Sequence, residues 1–449
     1  MILLPHYNGK KVAVFGLGIT GTSAMKSLSL SGAQVFLWDD NISVLKDMEM
    51  SVNCCCINPN EYNWNEISSL ILSPGISYFG DKQHWIVKLA KYHNCPIISD
   101  IELLYQAQKK SKFVCITGTN GKSTTTELIG WIFKCAKINV AVGGNIGKGA
   151  LTLDPDAEIY VLELSSQQIS LLNVINIDVA VLLNITADHI DIYGDMINYT
   201  SVKIKVLNYS KLSIINYDND ITNAVFRNIT GNKIAFSSTV KLDEGISFID
   251  DYLYVGDKAL KVGKLCVNKK SNLENFAASY AVAKHFGVSD DVIISAMETF
   301  KGLKHRNQLV GKMHNVFFVN DSKATNASAT KRALMSYQNI YWIVGGRSKD
   351  MGISELKIYF DRVKKAFLIG ESIIKLENVM KDYGISYIKC YNLDIAVQTA
   401  YAFAIEDMQE AVILLSPACS SWDQWNNFEE RGNKFCELVQ ELIAGGDIT

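Results

Sequence analysis

Short apolar runs recur along the whole chain, most of them stopping at a glycine, serine or asparagine: KVAVFG, SLILSPG, KFVCITG, EIYVLELSS, DVAVLLN, LSIINYD, VFFVNDS, NIYWIVGG, KAFLIG and AVILLSP. Runs of this length with no polar alternation read as strands covered on both faces, as in a parallel sheet. Between them lie stretches with apolar residues at helical spacing, such as the one after the first run and NLENFAASYAVAKHF further on. The segment ISFIDDYLYVGDKALKV alternates instead and predicts a hairpin. Strand and helix patterns taking turns from end to end predict an α/β fold.

Three blocks separate on this pattern. Residues 1–98 hold a strand, a glycine turn, a helix and a second strand, then SLILSPGIS. Residues 99–302 form a central block opening on KFVCITG and including the hairpin, and residues 303–449 form the last, from about GLKHRNQ. Each is expected to be a Rossmann-like parallel sheet, the central one a P-loop domain with a small antiparallel addition. Ligand sites in such sheets lie at the carboxyl ends of the strands.

Composition narrows the function classes. The 449 residues are 48% apolar and 20% charged, as in an ordinary globular protein. A net charge of −2 gives no bulk attraction to nucleic acid or to an anionic membrane. The start, MILLPHYNGKK, has too short an apolar run for a signal peptide, and no run approaches the ~20 residues needed to span a bilayer. The ten cysteines include no C-x-x-C pair, so reduced thiols in a cytoplasmic protein are expected.

Two glycine turns carry candidate chemistry. Gly16, Gly18 and Gly21 follow a strand and open a helix, with Asp39 at the end of the next strand. Taken alone this is either a dinucleotide site or a tight turn without ligand. In CITGTNGKST the phosphate-loop spacing asks for a glycine where Ile116 stands, leaving Gly118, Gly121, Lys122 and Ser123. Backbone amides here can face phosphate oxygens, Lys122 can meet the β- and γ-phosphates, and the Ser123 hydroxyl can ligate Mg²⁺. Glu163 at the end of another strand suits the same ion. Asn145 lies in GGNIG, and NITADHIDIYG places Asp188, His189 and Asp191 after a further strand. YTSVKIK then offers Lys203 and Lys205 on a predicted helix.

GTNGKST, GGNIG, ELSSQQ, NITADHID and the following Tyr199-x-x-x-Lys203, in this order, resemble the Mur ligases, the ATP-dependent amide-bond ligases of peptidoglycan synthesis. In that family the first loop glycine is absent, as at Ile116. NDSKATN, VGGRSKD and LLSPACSSWDQWNNFEERGNKF resemble the branch that adds D-glutamate to UDP-N-acetylmuramoyl-L-alanine. The resemblance implies ligation through an acyl phosphate, in peptidoglycan precursor synthesis and hence in cell-wall biogenesis, cell shape and division. It implies ATP bound by Gly118, Thr119, Asn120, Gly121, Lys122, Ser123, Thr124, Asn275, Arg306 and Asp321, with Lys323 reaching the phosphates. Two Mg²⁺ ions are implied, one on Ser123 and Glu163, the second on His189 and a carbamylated Lys203. Gly18, Ile19, Thr20, Gly75 and Asn145 would hold the UDP-sugar, and Thr325, Lys349, Ser421 and Phe428 the D-glutamate. Catalysis would fall to Lys122, His189, Lys203 and Lys323. No partner is implied beyond these small molecules: no nucleic acid, no membrane insertion, and a monomer.

The chain departs from the family pattern at Ser271-Asn272, at Asn307-Gln308 after His305-Arg306, and at Asp40-Asn41, where Thr-Arg would contact the uracil nucleotide. Three reacting partners imply a closing motion with a hinge near Gly302 to His305. Rival readings are another Mur or folylpolyglutamate-type ligase, an NAD-dependent oxidoreductase built on Gly16–Gly21, and a non-catalytic nucleotide-binding regulator. The oxidoreductase leaves GTNGKST and NDSKATN without a role.

Overall fold

The computed structural model describes residues 1–48, 54–80, 83–267, 272–348 and 352–446. It is an α/β protein with three mostly parallel sheets. They fall into two compact units, Met1–Phe300 with the first two sheets and Lys301–Thr449 with the third. Among the described residues, no helix is long and apolar enough to cross a membrane, and all ten cysteines are free.

The first sheet has five parallel strands in the order Cys54–Cys56, Gln34–Trp38, Lys11–Phe15, Ile67–Leu72, Ile97–Ile98. The second has nine. Its parallel part places Lys112–Thr117 between Ile159–Glu163 and Ile177–Leu182. The predicted hairpin is Ile246–Ile249 with Tyr252–Val255, and Lys258–Lys261 adds a third antiparallel strand.

The run KFVCIT shows why a central strand lacks alternation. Phe113 and Cys115 face one apolar core, Val114 and Ile116 the opposite one. Successive side chains point to opposite faces of the sheet, and helices cover both. The core on the side of Phe113 also takes in Val12, Val14, Leu37 and Ile71 of the first sheet, so the two sheets share apolar packing.

Lys301–Thr449 is a six-stranded sheet in the order Gln308–Met313, Val316–Asn320, Ala411–Leu415, Ile340–Gly345, Val363–Ile369, Tyr387–Tyr391. Only the first pair is antiparallel. Trp342 fills its core and donates its indole N–H to the Ser416 carbonyl (2.8 Å), satisfying the one polar atom of a fully buried ring.

Candidate active site

The helix Lys122–Cys135 begins directly after Gly121, which sits at φ +82° and offers no side chain as a cap. A Cβ at Gly121 would come 2.4 Å from Asn275 Oδ1, so only glycine fits. The uncapped first-turn amides are a site for anionic oxygen. Two asparagines hold the loop from outside it. Asn184 accepts from the Asn120 amide (2.8 Å) and donates to the Asn120 carbonyl (3.2 Å). Asn275 accepts from the Thr125 hydroxyl (3.2 Å) and donates to Asn272 Oδ1 (3.0 Å). Asn275 thus props the phosphate loop. Asn184 is the first residue of NITADHID, and its only signal in the sequence is a side-chain amide just past the end of the strand Ile177–Leu182.

Two lysine amines converge on one carbonyl. Lys122 Nζ donates to the Gly118 and Thr119 carbonyls (2.8 and 2.9 Å), and Lys203 Nζ donates to that of Gly118 (2.9 Å). Lys203 is 1% exposed on the helix Met196–Ile204, over the ring of Tyr199. Burial, and then the neighbouring Lys122 charge, lower its pKa to about 7, against weaker pulls upward from Asp188 and Glu163. Lys205 turns away and donates to the Ser170 carbonyl (3.1 Å).

Glu163 is buried at the end of its strand. Its Oε1 accepts from Asn145 Nδ2 (2.9 Å), while Oε2 is buried with no hydrogen-bond partner. An orphaned carboxylate oxygen costs free energy unless something cationic meets it, and the buried Ser123 belongs to the neighbouring helix N-terminus. This donor set fits Mg²⁺. Among the described residues, no group of three or more His, Cys, Asp and Glu side chains could hold a metal, so hydroxyl, carbamate and phosphate oxygens would have to complete the shell. His189, at φ +54°, is exposed, with its ring 6.1 Å from that of Tyr199 and its Nε2 3.6 Å from Asp188 Oδ2. Tyr199 is therefore the shared neighbour of His189 and Lys203. The side chain of Asp191 lies outside the described residues.

In the first sheet the glycine turn is tight by necessity. A Cβ on Gly21 would stand 1.9 Å from the Gly16 carbonyl oxygen, and Ser73 Oγ donates to that same oxygen (2.6 Å). Gly18 precedes Ile19 and Thr20 without capping their helix, and a Cβ at Gly18 or Gly75 would meet open space. Asp39 is engaged: its carboxylate accepts from the Leu17 amide (2.6 Å) and the Asn41 amide (2.8 Å). Asp40 accepts from Trp85 Nε1 (3.3 Å) and pairs with His84 (2.8 Å). A small cleft of about 90 Å³ links this region to the second sheet, lined by Gly75, Ile76, Tyr78, Gln167 and Tyr193 among others.

In the unit Lys301–Thr449, Asp321 is buried, accepting from the Ser416 hydroxyl (2.7 Å) and the Asn307 amide (3.1 Å). Burial, opposed by those bonds, pushes its pKa up to about 7. Gln308 Oε1 accepts from the His305 amide (2.8 Å), as a glutamate there would. Lys323 Nζ lies 5.5 Å from the centre of the Phe428 ring. Ser421 is buried, while Arg306 and Thr325 are half-buried. Lys349 and Ser271 lie outside the described residues.

Comparison with known proteins places this geometry. The Mur ligase middle domain matches residues 116–283, and the MurD-like N-terminal domain of the Mur ligases matches residues 10–99. The UDP-N-acetylmuramoylalanine–D-glutamate ligase of Wolbachia pipientis wMel is 45% identical over 98% of each chain. The chain belongs to the Mur ligases. The Rickettsia prowazekii (strain Madrid E) ligase of the same name is 40% identical over 96% of this chain and 98% of its own. The solved Mur ligase from Thermotoga maritima, a UDP-N-acetylmuramate–alanine ligase, shares the fold with a TM-score of 0.59 at 16% identity, covering 96% of this chain and 99% of its own. At that identity it speaks for the Mur ligase fold alone.

Proposed function

We propose that this chain joins D-glutamate to UDP-N-acetylmuramoyl-L-alanine, converting ATP to ADP and phosphate through an acyl phosphate. One observation carries the ATP chemistry: a phosphate loop with uncapped amides and a lysine in place, beside a buried carboxylate oxygen that has no protein partner. The choice of amino acid rests on the activity for which the relatives are named and on NDSKATN and the stretch around Ser421.

A free carboxylate does not form an amide usefully, because oxide is a poor leaving group. In the first step the L-alanyl carboxylate oxygen attacks the γ-phosphorus, and the bond to ADP breaks with its electron pair on ADP. The neutral D-glutamate amine then attacks the carbonyl carbon. A C–N bond forms, the C–O bond to phosphate breaks, and the amine gives up its proton. Lys122 exchanges the Gly118 and Thr119 carbonyls for phosphate oxygens and offsets the repulsion between carboxylate and triphosphate. Mg²⁺, held by Ser123 and Glu163 and, at a second position, by His189 and a carbamate on Lys203, would supply further positive charge.

Lys203 is suited to become that carbamate. A pKa near 7 leaves much of its amine neutral, and a neutral amine adds to CO₂, forming an N–C bond and releasing one proton. The product is an anion where the ammonium faced Lys122. Gly18, Ile19, Thr20 and Gly75 would hold the UDP-sugar. Thr325, Lys349, Ser421 and Phe428 would hold D-glutamate, with Lys323 at the phosphates and Arg306 and Asp321 at the adenosine. Asn145 and Asn275 already bond Glu163 and Thr125, and fit as supports for the carboxylate and the loop. A cytoplasmic, monomeric enzyme belongs to the same proposal.

The test is phosphate release by the purified chain with ATP, Mg²⁺ and the UDP-muramoyl-alanine acceptor. D-glutamate is expected to stimulate it, while L-glutamate, L-alanine and meso-diaminopimelate leave it at background. Equal release with every amino acid, or none with any, overturns the reading.

A further inference from the structure

The helix Phe428–Gly446 buries a charge that this reaction scheme leaves unused. Arg431 is 0% exposed. Its guanidinium donates from Nε to Ser322 Oγ (3.0 Å), from one terminal nitrogen to the Ser322 carbonyl (2.9 Å), and from both terminal nitrogens to the Cys419 carbonyl (3.2 Å each). All these acceptors are neutral. Asp423 and the Cys419 thiol act on it only through space. A buried cation normally requires a counter-ion. Here backbone and hydroxyl dipoles stand in for one, and the charge persists at neutral pH.

The groups it holds are not scattered. Ser322 follows the strand Val316–Asn320, and Cys419 follows Ala411–Leu415. A Cβ on Gly346, just past Ile340–Gly345, would lie 3.2 Å from a terminal nitrogen of Arg431. One guanidinium therefore bonds two loops and lies beside a third, all at the carboxyl ends of adjacent parallel strands, where ligand sites form in such sheets. The Ser322 hydroxyl continues the chain by donating to the Phe428 carbonyl (2.8 Å). Lys323 and Thr325 follow Ser322, Ser421 follows Cys419 by two residues, and Phe428 precedes Arg431 by three.

We propose that Arg431 is a positioning residue for the amino-acid substrate, locking the loops of Lys323, Thr325, Ser421 and Phe428 in one arrangement. The inference rests on the reading given under Proposed function. A lysine cannot replace it, because a point ammonium cannot span both loops as a planar fork does.

Steady-state kinetics on the full chain test this with R431K and the milder S322A, which removes the acceptor for Nε. In R431K the KM for D-glutamate is expected to rise about tenfold or more, with the KM values for ATP and acceptor within about twofold and the Tm within a few degrees of wild type. S322A is expected to move the D-glutamate KM in the same direction by about threefold. A purely structural arginine would lower Tm and active fraction while leaving every KM alone, and that pattern overturns the proposal. So does an equal shift in all three KM values. If R431K does not fold, S322A decides by the same criterion. Stimulation of the wild type by D-glutamate is the separate test of the underlying reading; a wild type indifferent to it overturns both.

Discussion

Lys203 joins burial, charge and chemistry in one side chain. Its folded pKa stands near 7, against about 10.4 for a free lysine. Below pH 7 the amine is protonated in both folded and unfolded states, and the full cost of burying the cation is present. Between about 7 and 10.4 the folded state holds fewer protons, so that cost shrinks and stability rises with pH. The expected outcome is a Tm that climbs from pH 7 to 9.5 in bicarbonate-free buffer, by an amount that falls in Lys203→Met. The underlying energy is of the order of a few kcal/mol. An unchanged pH slope in the variant means the amine is not what titrates. Glu163→Gln tests the neighbouring site. It keeps size and the Asn145 contact but removes the charge on the orphaned oxygen, and ligation is expected to fall by about 10² or more, with part recovered at raised Mg²⁺. Loss with no Mg²⁺ dependence would assign Glu163 a role other than holding the ion.

At the scale of elements, strand, turn and helix around Lys122 were legible because each has a local cause. The strand is an apolar run, the turn has glycine at positive φ, and the helix follows at once. The expected hairpin was equally plain from its alternation. What holds the loop was not legible. Asn184 lies 64 residues from Asn120, and Asn275 lies 150 from Thr125; no local pattern says which asparagine will close on which turn. The depressed pKa of Lys203 was hidden for the same reason, since it comes from burial beside Lys122 in space. Gly121→Ala joins the two levels. It forces a left-handed alanine and drives a methyl group into Asn275, so about 2–3 kcal/mol of stability should be lost by chemical denaturation, together with ATP affinity. Asn184→Ala should spare the fold and raise the KM for ATP by about tenfold, because two bonds to Asn120 disappear. If both variants bind ATP as the wild type does, the loop is not the nucleotide site.

At the scale of the whole molecule, the question is how two glycine turns divide their ligands. Both follow parallel strands within Met1–Phe300, one in each sheet. The turn at Gly16–Gly21 has the spacing of a dinucleotide fingerprint, yet the acid that would take a ribose diol is already engaged. Asp39 accepts from two backbone amides, one on each oxygen, which ties it to the turn itself. The uncapped helix at Gly18 still suits a diphosphate, which is what a UDP-sugar brings. Assigning UDP to the first sheet and ATP to the second has a kinetic consequence, since ligands of separate sites do not compete. With Mg²⁺ in excess, UDP should raise the KM for the muramoyl acceptor and leave that for ATP unchanged. A non-hydrolysable ATP analogue should do the reverse, and NAD should do neither. Competition between UDP and ATP would mean that one turn serves both nucleotides, and the division of labour between the sheets would have to be redrawn.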